Sequence, residues 1–157
     1  MATQNISTGT AIRGWEGPFT GDQFTLSSTV DFAVNNGGSA DVIQMVAIPA
    51  GTMVLSVAHL VVTAEGGTST GTIGDGTDAD GWIASVDNNA TAATVLFSNG
   101  KHTLAEGAPN TITYTNALAA AGGKYYATAD TIDMTLSANA VDLAKVTLIV
   151  TCIDMNT

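Results

Sequence analysis

The stretch "FTLSSTVDF", residues 24–32, places Phe24, Leu26, Val30 and Phe32 on one face and Thr25, Ser27, Thr29 and Asp31 on the other. A period of two is the pattern of a β-strand with one face buried, because successive side chains point to opposite sides of the pleat. The other end of the chain repeats it. In "AKVTLIVTCID" (144–154), Val146, Leu148, Val150 and Cys152 alternate with Thr147, Ile149 and Thr151.

Between these two segments the chain continues in strands separated by turn residues. "NNGGS" (35–39) is a turn cluster, "DVIQMVAI" (41–48) a strand, and "PAGT" (49–52) its stop. "MVLSVAHLVVTA" (53–64) is apolar on nearly both faces, as expected of a central strand. "TIG" and "GWIASV" flank an acidic loop, and "TVLFSNGKHTL" (94–104) carries Asn99-Gly100, a strong hairpin signal. "TITYT" and "YYATADTIDMTLS" are β-rich, with Ile132, Met134 and Leu136 set against Thr131, Asp133 and Thr135. Only "NALAAAGG" (116–123) reads as a short helix, ended by Gly122-Gly123. Some eight short strands at regular spacing indicate an all-β sandwich or barrel in one domain, and no βαβ crossover is visible.

Residues 1–23 have no sustained period and carry Gly14, Gly17, Pro18 and Gly21. Trp15 and Phe19 are costly to leave in water, so the stretch reads as an extended N-terminal arm that docks on its own domain or on a neighbour. The expected division is an arm, 1–23, and a β-sandwich domain, 24–157.

The charge balance excludes several functions. The chain has 14 acids and four bases, Arg13, Lys101, Lys124 and Lys145, for a net charge of −10. Four scattered bases cannot form the stripe that displaces counterions from phosphates, so neither nucleic acid nor an anionic membrane surface is an expected partner. Charged residues make up 11% of the chain, against about 25% in ordinary soluble domains; the surface is therefore Thr-, Ser-, Asn- and Gly-rich. The N-terminus has no apolar run of the signal-peptide kind, and the expected site of synthesis is a cytosol.

Sites for chemistry are sparse. "GDGTDADG" (74–81) gathers Asp75, Asp78 and Asp80. Their spacing does not match an EF-type loop, which also needs a distant bidentate Glu. Asp caps turns through its own backbone and Gly supplies positive φ, so a plain acidic turn is expected, with a single weak cation site at Asp75, Asp78 and Asp80 as the alternative. "GTSTG" (67–71) matches G-x-S-x-G, but the nucleophile elbow needs a helix straight after the serine, and "TIGDG" follows; Ser69 is read as a turn residue. His59 shares a face with Val57 and Val61 and reads as a core or sheet-face histidine hydrogen-bonded to a neighbour, whereas His102 reads as exposed. Cys152 is the single cysteine and reads as a small buried apolar residue. No catalytic constellation and no cofactor are expected.

Three segments, "IPAGTMVLSVAHLVVTAE" (48–65), "TIGDGTDADGWIAS" (72–85) and "YYATADTIDMTLS" (125–137) followed by the last strand ending "CID", together resemble the head decoration, or capsid cement, proteins of tailed bacteriophages. The resemblance covers roughly residues 42 to 154 and lies in the order and spacing of short motifs. It implies a jelly-roll-like β-sandwich that binds the major capsid protein on the outer surface of the phage head as a homotrimer and stabilises contacts between capsomers. It further implies synthesis in the host bacterial cytoplasm and, through N-terminal arms, contact residues of the type of Trp15 and Phe19. The competing expectation is a carbohydrate- or receptor-binding β-sandwich module of a phage fibre, with or without calcium.

Overall fold

The computed structural model describes residues 3–5, 23–98, 122–137 and 139–155. Ten strands are found among them: β1 (Thr3–Asn5), β2 (Gln23–Asp31), β3 (Val42–Ile48), β4 (Thr52–Thr63), β5 (Thr70–Gly74), β6 (Ile83–Asp87), β7 (Val95–Phe97), β8 (Lys124–Tyr126), β9 (Asp130–Leu136) and β10 (Lys145–Asp154). Trp15, Phe19, the Asn99-Gly100 hairpin, His102, "TITYT" and the helical reading of residues 116–121 lie outside the described residues.

The strands form two sheets, ordered β1-β3-β9-β5-β6 (sheet one) and β2-β10-β4-β7 (sheet two), with β8 also paired to β4. Setting aside β1 and β8, the sheets are 3-9-5-6 and 2-10-4-7. The first long strand thus lies beside the last, β2 with β10, and the second beside the second-last, β3 with β9. This is a long antiparallel hairpin rolled up on itself, the double-sheet jelly roll. Antiparallel pairing holds throughout the eight; β1 adds to the edge of β3 in parallel.

Alternation dictates which faces meet. Val146, Leu148, Val150 and Cys152 of β10 are all buried, and Val54, Val57 and Val61 face inward beside them from β4. Ile43, Met45 and Ile48 of β3 and Ile132, Met134 and Leu136 of β9 close the core from the other sheet. Each such side chain contributes roughly 1.5–3 kcal/mol on burial. Met45 and Val46 are buried in succession because the β3–β9 register slips between Gln44 and Val46; a bulge resets the pleat by one residue.

"YYATADTIDMTLS" is β-rich, as its composition predicts, and supplies two strands in opposite sheets, β8 on β4 and β9 between β3 and β5. The break at Ala127, Thr128 and Ala129 lets the chain cross the sandwich. Asp133, placed by alternation on a solvent face, is instead 7% exposed. It pairs in register with Gly74, and the backbone of Asp78 and Ala79 folds so tightly over Gly74 that no side chain fits there.

Candidate functional site

The acidic loop between β5 and β6 is a turn, and its first aspartate does more than cap it. Asp75 Oδ1 accepts hydrogen bonds from the N–H groups of Thr77 (2.9 Å) and Asp78 (3.1 Å). The Asp75 N–H bonds to the Asp78 carbonyl (2.9 Å), and Thr72 Oγ1 donates to the Ala79 carbonyl (2.8 Å). Such local bonds are why Asp initiates turns. Its other oxygen reaches across the sandwich: Oδ2 lies 2.6 Å from Lys124 Nζ and accepts from the Tyr126 hydroxyl at 2.7 Å. Trp82 Nε1 donates to the same hydroxyl at 3.3 Å, and the ammonium of Lys124 stands 4.9 Å from the centre of the Tyr126 ring.

These contacts join both sheets at one end. Asp75 and Trp82 flank β5 and β6 in sheet one, and Lys124 and Tyr126 lie on β8 in sheet two. Burial alone would raise the Asp75 pKa, but Lys124, the Tyr126 hydroxyl and the two N–H groups outweigh it and hold the carboxyl below its usual range. Burial, with the Asp75 carboxylate as hydrogen-bond partner, pushes the Tyr126 hydroxyl far above its usual pKa.

The three candidate aspartates are placed differently. Asp75 is buried with both oxygens engaged, Asp78 is half-buried, and Asp80 is exposed. Among the described residues no group of three or more His, Cys, Asp or Glu side chains is positioned to hold a metal ion. A cation taking Asp75 as ligand would compete with an ammonium already in contact with it.

The second polar cluster lies inside the sandwich. His59 Nε2 donates to Asn88 Oδ1 at 3.2 Å, and Asn88 Nδ2 donates to Ser69 Oγ at 3.2 Å. His59 and Ser69 are 2% and 0% exposed. Burial lowers the imidazole pKa to about 4, against the small raising effects of Asn88 and the Asp87 charge. Ser69 is a buried partner of Asn88 in the connection that leads into β5, and the amide between it and the imidazole carries no proton from one to the other. Cys152 is buried, as its sequence context suggests, and burial pushes its thiol up to about 12.

Sequence reasoning missed a third contact. Glu65, just past β4, accepts from the N–H groups of Asp142 (3.0 Å), Leu143 (3.1 Å) and Ala144 (2.7 Å). Burial opposes ionisation of this carboxyl, but the three N–H donors prevail and its pKa is lowered. It ties the β4–β5 connection to the turn that leads into β10. No local motif announces it, because donors and acceptor are nearly eighty residues apart. Among the described residues Asp133 is the exception to this satisfied polar interior: its Oδ1 is buried without a hydrogen-bond partner. Burial raises its pKa to about 6, the Thr131 hydroxyl opposing and the charges of Asp130 and Asp75 assisting.

The geometry defines a class: a jelly-roll β-sandwich whose buried polar groups serve as struts. No family model matches the chain, and no curated protein matches it by sequence. Solved structures share its fold. A chain of the acidic stable capsid structure of Helicobacter pylori bacteriophage KHP30 is 14% identical, with a TM-score of 0.56, over 88% of this chain and 92% of that one. A chain of the capsid of Ralstonia phage GP4 is 13% identical, with a TM-score of 0.54, over 90% of each. A chain of the cyanophage Pam1 capsid asymmetric unit is 17% identical, with a TM-score of 0.52, over 92% and 93%.

Proposed function

We propose that the chain is a structural virion protein, a decoration or cement protein that binds the outer surface of a phage capsid as a homotrimer and stabilises contacts between capsomers. The observation that carries this reading is the mutual coverage with chains of three capsid structures, about nine tenths of each partner in every case. The likeness runs over most of both chains rather than over one segment of each. The buried struts agree with it: Asp75, Glu65 and His59 rigidify the sandwich and are spent on internal contacts. In this reading the partner is the major capsid protein, and the segment before β2, with Trp15 and Phe19, supplies contacts to the shell or a neighbouring subunit. A protein that binds only the assembled lattice stabilises it by mass action.

The test is to add purified protein to expanded shells lacking it and to follow co-sedimentation and thermal disruption of the shell. Saturable binding at a fixed ratio to the shell subunit, with a raised disruption temperature, is the expected result. Failure to bind shells, or closure of the purified chain alone into a shell, would overturn the decoration role.

A further inference from the structure

We infer that the outer face of sheet two is the contact between copies of this chain. The inference deepens the reading above and rests on its oligomeric half. Strand alternation turns Met53, Ala58 and Leu60 of β4, Ile149 and Ile153 of β10 and Phe97 of β7 to this face, where the register sets them side by side: Met53 with Ile153, and Ala58 between Ile149 and Phe97. Phe97 and Val62 remain 37% and 41% exposed, and Tyr125, paired with Met53 from β8, is 52% exposed. Along β2 the face turns polar, with Thr25, Ser27 and Thr29 outward and a hydroxyl pair, Thr29–Thr147, at 2.8 Å. An apolar centre enriched in Met and aromatic residues beside a hydroxyl-bearing margin is the composition of a protein interface.

Charge decides which partner fits. Copies of a chain with net charge −10 repel wherever carboxylates face one another. The outward positions of the described strands of sheet two carry two charges, Asp31 and Lys145, and these pair at 3.2 Å at one corner. Asp75, Asp78, Asp80, Asp87, Asp130 and Asp133 belong to sheet one or its β5–β6 loop, and Asp154, the last residue of β10, falls on the inward side of the alternation opposite the buried Thr52. The sheet-two face is therefore where like-charged copies can approach without opposing acids. In a closed trimer each contact is heterologous, so this face meets a different surface of the next copy, and an uncharged face opposes none of the acids that surface carries.

Sedimentation velocity and native mass spectrometry of the intact chain test this across a wide concentration range, for the parent, for Val62→Asp/Phe97→Asp, and for Val34→Asp. Val34 is 76% exposed in the turn after β2, off this face. The expected result is an oligomer in the parent and in Val34→Asp, and its loss to monomer in the double variant at an unchanged melting temperature of the monomer. A monomeric parent would overturn the inference. So would an oligomer that survives the double substitution, and so would a double variant that loses monomer stability, since the two side chains would then be packed within their own chain. A parent chain that is monomeric and still binds shells would sink this contact and leave the decoration role standing.

Discussion

Lys124 Nζ lies 2.6 Å from Asp75 Oδ2, and this one contact links a strand of sheet two to a loop of sheet one. The lysine side chain keeps 24% of its exposure while the carboxylate keeps none. Water can therefore solvate the ammonium when the pair is broken but cannot reach the acid. The cost of disruption falls on Asp75.

Lys124→Ala is expected to destabilise the domain by about 2–4 kcal/mol, near the low end of what a broken buried pair costs, because partial access of water softens the loss. Tyr126→Phe removes a hydrogen bond to the same carboxylate, worth about 1.5–3 kcal/mol. Urea unfolding of both singles and the double variant measures the coupling. Strictly additive losses would show that the two donors do not share one acceptor.

Asp133 gives the opposite pH dependence from Asp75. Its folded pKa of about 6 stands above the unfolded carboxylate value near 3.9, so the stability associated with this group is present below about pH 4 and lost as the pH rises through 6. Asp133→Asn is expected to be more stable than the parent at pH 7 by about 1–3 kcal/mol, since a tenfold change in proton affinity is worth about 1.4 kcal/mol. Near pH 4 the two should be equal. Equal stability at both pH values would mean that the carboxylate is hydrated in the folded state.

His59 titrates the other way. Its folded pKa of about 4 lies below the unfolded value near 6.5, so its contribution is complete above about pH 6.5 and declines as the pH falls toward 4. The imidazole resonances of His59 should stay in the neutral form at pH 5.5, with Nε2 protonated toward Asn88. A midpoint near 6.5 would place the ring in water instead.

Glu65→Ala leaves three N–H groups of the turn before β10 without their acceptor. Only the Ala144 donor is fully buried, those of Asp142 and Leu143 being part-buried; an unsatisfied buried donor costs about 1–3 kcal/mol, and water reaching the other two should hold the total to about 2–4 kcal/mol. Hydrogen exchange at Ala144 is expected to quicken more than at Leu148 in mid-strand. Uniform quickening would indicate global destabilisation without a local role.

The alternation in β2 and β10 was enough to read a two-sheet β protein from the chain, because a period of two has one physical solution when one face must be dry. The same rule placed His59 on the face of Val57 and Val61, Cys152 in the core, and Thr147 and Thr151 outside. Asp75 was legible as a turn former, since its bonds to Thr77 and Asp78 span two and three residues. Its bonds to Lys124 and Tyr126 were not, because they cross 49 and 51 residues and depend on β8 and β9 lying in opposite sheets. Burial of Asp133 likewise follows from a loop folding over Gly74, which alternation along β9 cannot foresee. Strand identity is local, set by side chains two residues apart. Strand order, the cross-sheet struts and the charge-poor face of sheet two exist only once distant segments share one core.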